Sequence, residues 1–194
     1  MAPIDEGPAP VTRLKGGRSW RVGDSAQIDW IAAGTATGLT ITSGIPPIFE
    51  AYATVVVPED DGDRDEHDRA LLTLLSEYTA DQPWWLGYLD TGSADVVFYD
   101  VAMVTLYAGW HYVIVEAGPH QAASWGDRSP PKGPLPDLLF PADHSWLVST
   151  LWDDDWRCVG GSADLIGRME RDTRLETRRV NLGDDATPPG HEAH

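Results

Sequence analysis

The residues best suited to chemistry form two acidic segments. One is the run Glu59, Asp60, Asp61, Asp63, Asp65, Glu66 and Asp68, relieved only by Arg64. The other is Trp152-Asp153-Asp154-Asp155-Trp156, three carboxylates bracketed by two indoles. Carboxylates at this density can solvate a loop, hold a hard cation, or clamp the guanidinium and ammonium groups of a basic partner. Three consecutive aspartates more often make a solvated turn, so no metal is assigned to Asp153–Asp155. The flanking rings favour recognition, because a rigid indole supplies contact area at small entropic cost and its face accepts a cation. The candidate partner-binding residues are therefore Asp60, Asp61, Asp63, Trp152, Asp153, Asp154, Asp155 and Trp156, with Trp152 and Trp156 expected to be partly exposed.

Other constellations are weaker. Neither a Gly-x-x-x-x-Gly-Lys-Ser/Thr nor a Gly-x-Gly-x-x-Gly run occurs, and no Gly-x-Ser-x-Gly elbow. Gly160-Gly161-Ser162 could open a helix and offer N–H groups to an anion, although a plain helix cap is the commoner role. Asp143-His144-Ser145 holds triad residue types, but a triad needs adjacency in space rather than in sequence. Cys158 follows Arg157, and in a strand the two would point to opposite faces, so a buried, inert thiol is expected. His191 and His194 lack the apolar helix of a zinc-protease motif. Asp90, Asp95 and Asp100 read as turn residues at strand ends. Catalytic residues, metal ligands and cofactors are accordingly not assigned.

The elements that must position these groups follow from periodicity. Asp24 or Ser25 can cap a short helix through Ile28, Trp30 and Ile31. Thr54–Val57 reads as a β-branched strand stopped by Pro58. Leu71, Leu74, Leu75 and Tyr78 make one apolar stripe and predict a helix over 66–78, with the acidic run as a loop reaching its N-terminus. Trp84–Leu89 and Asp95–Tyr99 read as strands, and Met103–Tyr107 with Trp110–Val115 as a hairpin about Ala108-Gly109. Both faces of the 110–115 strand are largely apolar, which places it centrally in a sheet. Pro119–Ser124 suits a helical turn and 126–137 a proline-rich loop. Trp146–Leu151 and Trp156–Val159 predict a second hairpin, followed by a helix capped by Ser162 with Leu165, Ile166 and Met169 inward, and then, over 175–180, either an edge strand or a segment that follows the surface.

Strands joined by hairpins, without a βαβ rhythm, predict an α+β fold. Its mostly antiparallel sheet would carry three or four helices packed on one side. The 194 residues suffice for one domain over 21–180, preceded by a flexible arm (1–20) and followed by a polar, Pro/Gly-rich tail (181–194).

Charge narrows the function. Residues 22–156 carry 22 acidic and four basic groups, while the whole chain is −17. Such a surface repels phosphate, which excludes general nucleic-acid attraction and docking on anionic lipid. The N-terminus lacks the apolar stretch of a signal peptide, and a single cysteine fits a reducing compartment, so the cytoplasm is the expected location. Two lysines against twelve arginines suggest a GC-rich genome.

Several segments carry a family resemblance: Ile45-Pro-Pro-Ile-Phe-Glu-Ala-Tyr-Ala-Thr, Trp84-Trp-Leu-Gly-Tyr-Leu-Asp-Thr-Gly, Leu138-Leu-Phe-Pro-Ala-Asp-His-Ser-Trp-Leu-Val-Ser-Thr and Val159-Gly-Gly-Ser. Over most of residues 24–190 the chain resembles a group of uncharacterised actinobacterial cytosolic proteins. More remotely, its charge, size and hairpin–Gly-Gly-Ser–helix ending are similar to immunity proteins of bacterial toxin systems, including the SUKH superfamily. The resemblance brings no catalytic or binding residue with it. The charge of −18 over residues 22–156, with aromatics interleaved among the carboxylates and no catalytic motif, predicts a non-enzymatic module that engages a basic protein such as a toxin or nuclease, carboxylates standing where phosphates would sit. Two further readings stand beside it. One is a small-molecule-binding protein or hydrolase-type enzyme with a pocket between sheet and helices, using His111, His144, Asp153, Asp155 and Tyr99. The other is a homo-oligomer whose tryptophans form the self-interface.

Overall fold

Period-two alternation runs through most apolar segments, and in the computed structural model it builds one antiparallel sheet with two buried faces. The structure describes residues 10–12, 19–79, 82–90, 101–123, 135–151 and 154–193. In chain order the elements are β1 (Pro10–Thr12), β2 (Ser19–Val22), α1 (Asp29–Ala32), β3 (Ala51–Val56), α2 (Asp61–Glu77), β4 (Trp84–Leu89), β5 (Val104–Leu106), β6 (Trp110–Ala117), α3 (Pro119–Ala122), β7 (Leu138–Pro141), β8 (Leu147–Ser149), β9 (Trp156–Gly161), α4 (Ala163–Arg171) and β10 (Glu176–Val180). The strands lie in the order β1-β2-β6-β4-β7-β8-β9-β3-β10, and β5 also pairs with β6. The fold is α+β, with an open sheet.

Strand parity sorts the core. Ala51, Ala53, Val55, Trp84, Leu86, Val113, Val115, Leu139, Val148 and Val159 share one face with the apolar sides of α2, α3 and α4. Tyr52, Trp85, Leu89, Tyr112, Ile114, Phe140, Leu147, Trp156 and Cys158 share the other. That second face is closed by α1, by the short 3-10 turn at Ile41–Ser43, and by Ile28 and Ile45. β6 is buried on both faces, as its two apolar sides require. Gly87 of β4 admits no side chain, since a Cβ there would stand 2.7 Å from the Cβ of Leu138.

Local signals explain most helix boundaries. Asp24 caps the turn at 25–27 through the Ala26 N–H, and Gln27 returns a bond to the Asp24 N–H. Ser162 Oγ accepts from Leu165 N–H at 3.1 Å and starts α4, with Leu165, Ile166 and Met169 buried. α2 differs from expectation at its start: it begins at Asp61, five residues before the apolar stripe predicts. Asp60 supplies the reason, because its carboxylate accepts from Gly62 N–H at 2.8 Å and Asp63 N–H at 3.4 Å. Asp61 and Asp63 then fall in the first turn, where the helix dipole favours negative charge. Most of the acidic run is thus helix, not loop.

Two other elements escaped the pattern. β7 is only four residues long, every one buried, too short for alternation to show and close behind a proline-rich stretch. The tail expected to be mobile turns back on the body. Asp185 bridges Thr40, Ala186 is buried, and Arg178 Nη2 donates to the carbonyls of Asp185 and Thr187, both at 3.0 Å. The expected strand over 95–99 and the greater part of the proline-rich loop lie outside the described residues.

Candidate functional site

The two acidic segments leave the sheet at the same end. β3 finishes at Val56, directly opposite Trp156 at the start of β9 and Glu176 at the start of β10. Val57 N–H then donates to Asp155 O at 2.8 Å, so the Asp155 turn and the approach to α2 lie side by side. Pairing of β3 with β9 thereby brings together groups about a hundred positions apart in the chain. A hollow of about 730 Å³ opens at this end, lined by Val56, Pro58, Asp63, Glu66, Arg174 and Glu176 among others.

Arg64, the one cation inside the run, forms no ion pair with it among the described residues. Its Nε donates to Pro58 O at 3.0 Å and its Nη2 to Glu59 O at 3.5 Å. Arg174 faces Glu66 electrostatically, but its forked hydrogen bonds, at 2.8 and 2.6 Å, go to Asp172. Asp61, Asp63, Asp65 and Glu66 therefore have no ion-pair partner among the described residues. Like charges one turn apart, such as Asp61 and Asp65, cost a few tenths of a kcal/mol each.

Not every predicted site residue is available. Asp60 is engaged as the α2 cap. Asp61 and Asp63 are exposed. Asp155 is exposed but holds His191, whose Nδ1 lies 2.8 Å from both carboxylate oxygens. Asp154 is half-buried. Trp156, expected to be partly exposed, is 3% exposed and faces the second core, with the His191 ring edge-on against it. Its β9 parity with Cys158 and Gly160 turns it inward. Trp152 and Asp153 lie outside the described residues. The described tryptophans do not interleave with the carboxylates: Trp84, Trp85, Trp146 and Trp156 are buried, and Trp30 and Trp110 are half-buried on the second face.

The remaining constellations resolve into structural roles. The start of α4 is no anion site, because Ser162 caps it and Glu50 Oε2 accepts from Ala163 N–H at 3.0 Å. Gly160 is a packing glycine: a Cβ would fall 2.4 Å from the Phe49 ring. His144, at a left-handed φ of 57°, stacks on Trp30 with ring centroids 4.4 Å apart, and burial lowers its pKa against the pull of Asp143. Asp143 is held by Gln82 and Ser145, whose hydrogen bonds outweigh burial and lower its pKa. No triad forms. His111 lies exposed beside Thr105, so His111, His144 and Asp155 occupy separate places and build no common pocket; Tyr99 and Asp153 are outside the described residues. Cys158 is buried, which pushes its thiol up to about 12. Among the described residues no group of three or more His, Cys, Asp or Glu could hold a metal ion, and no helix is long and apolar enough to cross a membrane.

The sequence reading missed one buried and one half-buried charged group. Arg157, 3% exposed, projects from β9 under α2, where its Nη1 donates to Asp68 Oδ1 at 2.9 Å and lies 3.3 Å from His67 Nδ1. Burial alone would raise the Asp68 pKa, but Arg157 and His67 outweigh it and hold the carboxyl below its ordinary range. Asp137, just before β7, accepts Leu89 N–H on Oδ2 at 2.8 Å and so extends the β4–β7 ladder with a side chain. Burial pushes its pKa up to about 6, against the backbone hydrogen bonds and Arg157. Beside α2 a second hollow, of about 550 Å³, holds Asp65, Asp68, Arg69, Glu77 and His120 over an apolar floor that includes Leu72 and Leu135.

No family model, curated protein or solved structure matches the chain. Function therefore rests on geometry.

Proposed function

We propose that this chain is a non-enzymatic binding module whose acidic end receives the cationic surface of a partner protein. The observation that carries this reading is that Asp61, Asp63, Asp65 and Glu66, on the first turns of α2, stand without ion-pair partners among the described residues, while the neighbouring Arg64 bonds to backbone carbonyls. Arg174 shares the hollow and acts on Glu66, but its forked hydrogen bonds go to Asp172, so most of the carboxylate field stays available to an incoming cation. Trp156 plays no part, being core. The partner class that best suits such a surface is a basic toxin or nuclease, whose cationic groups would meet carboxylates in place of phosphates. Association would be fast and salt-sensitive, because the opposed charges steer the encounter.

The test uses the full chain and a fluorescent arginine-rich peptide as probe. Fluorescence anisotropy at low and high salt should show saturable binding that weakens steeply with salt. The combined variant Asp61→Asn, Asp63→Asn, Glu66→Gln should weaken binding at least tenfold, with unchanged circular dichroism. Binding that ignores both salt and the triple variant would refute the reading.

A further inference from the structure

The second face of the sheet carries a cavity of a different kind, independent of the acidic end. It encloses about 380 Å³ between the chain that follows α1 and the β5–β6 hairpin, within the range of small-ligand sites. Thr35, Thr37, Ser43 and Thr105 are among its lining residues, together with the aromatic Tyr107 and Trp110, and the Thr105 hydroxyl lies 3.4 Å from His111 Nδ1. Among the described residues its lining contains no Asp, Glu, His, Lys, Arg or Cys, in a chain where nearly a quarter of the residues are charged.

The ring wall is fixed in advance. Tyr107 has φ 54°, a left-handed conformation that a residue with a Cβ rarely adopts. Its hydroxyl is tied to Gly44 O at 2.9 Å and Ser149 Oγ at 2.7 Å, which locks the hairpin loop onto the sheet. The ring then meets Trp110 at a centroid distance of 6.1 Å and an angle of 67°. Two rings at that angle form a corner that accepts a flat ring, face against one and edge against the other. Among the described residues the hydroxyls of Thr37 and Ser43 make no hydrogen bond, and the Thr35 hydroxyl, donating to Ile31 O at 3.0 Å, keeps an accepting lone pair. Hydroxyls that can both donate and accept suit the mixed edge of a heterocycle.

We infer that this cavity binds a neutral, planar heteroaromatic molecule of the nucleobase class, as the free base or nucleoside and not as a phosphorylated nucleotide. With no cation among the described lining residues, a phosphate would lose hydration without recompense there, and the chain's charge of −17 opposes any anion.

The experiment is titration calorimetry and saturation-transfer NMR on the full chain, with adenosine, AMP and methyl α-glucopyranoside as probes. Adenosine should bind saturably, AMP at least tenfold more weakly, and the glucoside, which lacks a π face, not at all. Thr37→Val removes an exposed hydroxyl and should weaken adenosine at least threefold. Ala108→Trp, at an exposed hairpin position, should fill the cavity and abolish binding. Both sites are exposed, so both variants should retain the native melting temperature, and an untouched arginine-peptide titration would show that the acidic end is intact. The inference is overturned if adenosine fails to saturate at its solubility limit, if AMP or the glucoside binds as well as adenosine, or if adenosine binding survives both substitutions unchanged.

Discussion

Replacing Asp137 by Asn should stabilise the protein near neutral pH and do nothing in acid. Asp137 sits at the entry to β7 with its Oδ2 on the Leu89 N–H at 2.8 Å. Burial lifts its pKa from 3.8 to about 6 in the folded chain. The folded state thus holds this proton more tightly than the unfolded state does. Below pH ~4 both states are protonated and the group contributes fully. As pH rises through about 6 that contribution is lost, since the unfolded carboxyl ionises freely and the folded one must ionise in a poorly solvated site. Two pKa units correspond to roughly 3 kcal/mol, an upper value because part of the side chain reaches solvent. An Asn amide oxygen keeps the acceptor for Leu89 N–H and removes the charge. Urea denaturation at a series of pH values should show D137N and the parent equally stable near pH ~4, with the variant gaining about 1–3 kcal/mol by pH ~7.5. A pH-independent difference, or a variant less stable at neutral pH, would refute the assignment of a buried, proton-hungry carboxyl.

The buried ion pair responds in the opposite direction. Asp68→Ala should cost about 3–5 kcal/mol by leaving Arg157 buried without its counter-charge, while Asp68→Leu combined with Arg157→Met should recover most of it in the same urea assay. Because Arg157 and His67 depress the Asp68 pKa, its contribution is present above the ordinary carboxylate range and vanishes as pH falls through its folded pKa, which acid titration by circular dichroism would follow. Asp60→Ala should cost about 1 kcal/mol of stability through loss of the α2 cap, and Asp60→Asn should cost little. Cys158, buried with its thiol pushed up to about 12, should react with an aromatic disulfide reagent only as fast as the protein opens, and at the rate of a free thiol in denaturant.

Local signals carried much of the fold. The stripe Leu71, Leu74, Leu75, the hairpin at Ala108-Gly109 and the Ser162 cap are properties of neighbouring residues, and the structure realises each. β7 was illegible for the same reason: four buried residues have no period to display, and their position between β4 and β8 is set by pairing with segments far away. Arg157 shows the limit more sharply. Beside Cys158 it reads as the outward half of an alternating pair, yet it enters the core because α2 delivers Asp68 and His67 above it. No spacing rule links positions 68 and 157.

The candidate site was legible as composition but not as availability. Asp60 and Asp61 are identical in type and adjacent, yet Asp60 is held by two N–H groups at the start of α2 while Asp61 faces water. Asp68 closes the same run and is neutralised by Arg157, and Asp155 is engaged by His191. Trp156 could have been placed from the sequence: stepping back by twos from Cys158 puts it on the same side of the strand, and the structure finds both in the second core. A hydrogen-bonded or salt-bridged carboxylate has a partner already, so a new cation gains less from it than from one that folding has left alone. The proposed recognition surface therefore contracts to Asp61, Asp63, Asp65 and Glu66. Those four, rather than the whole acidic run, should set the salt dependence of any partner's binding.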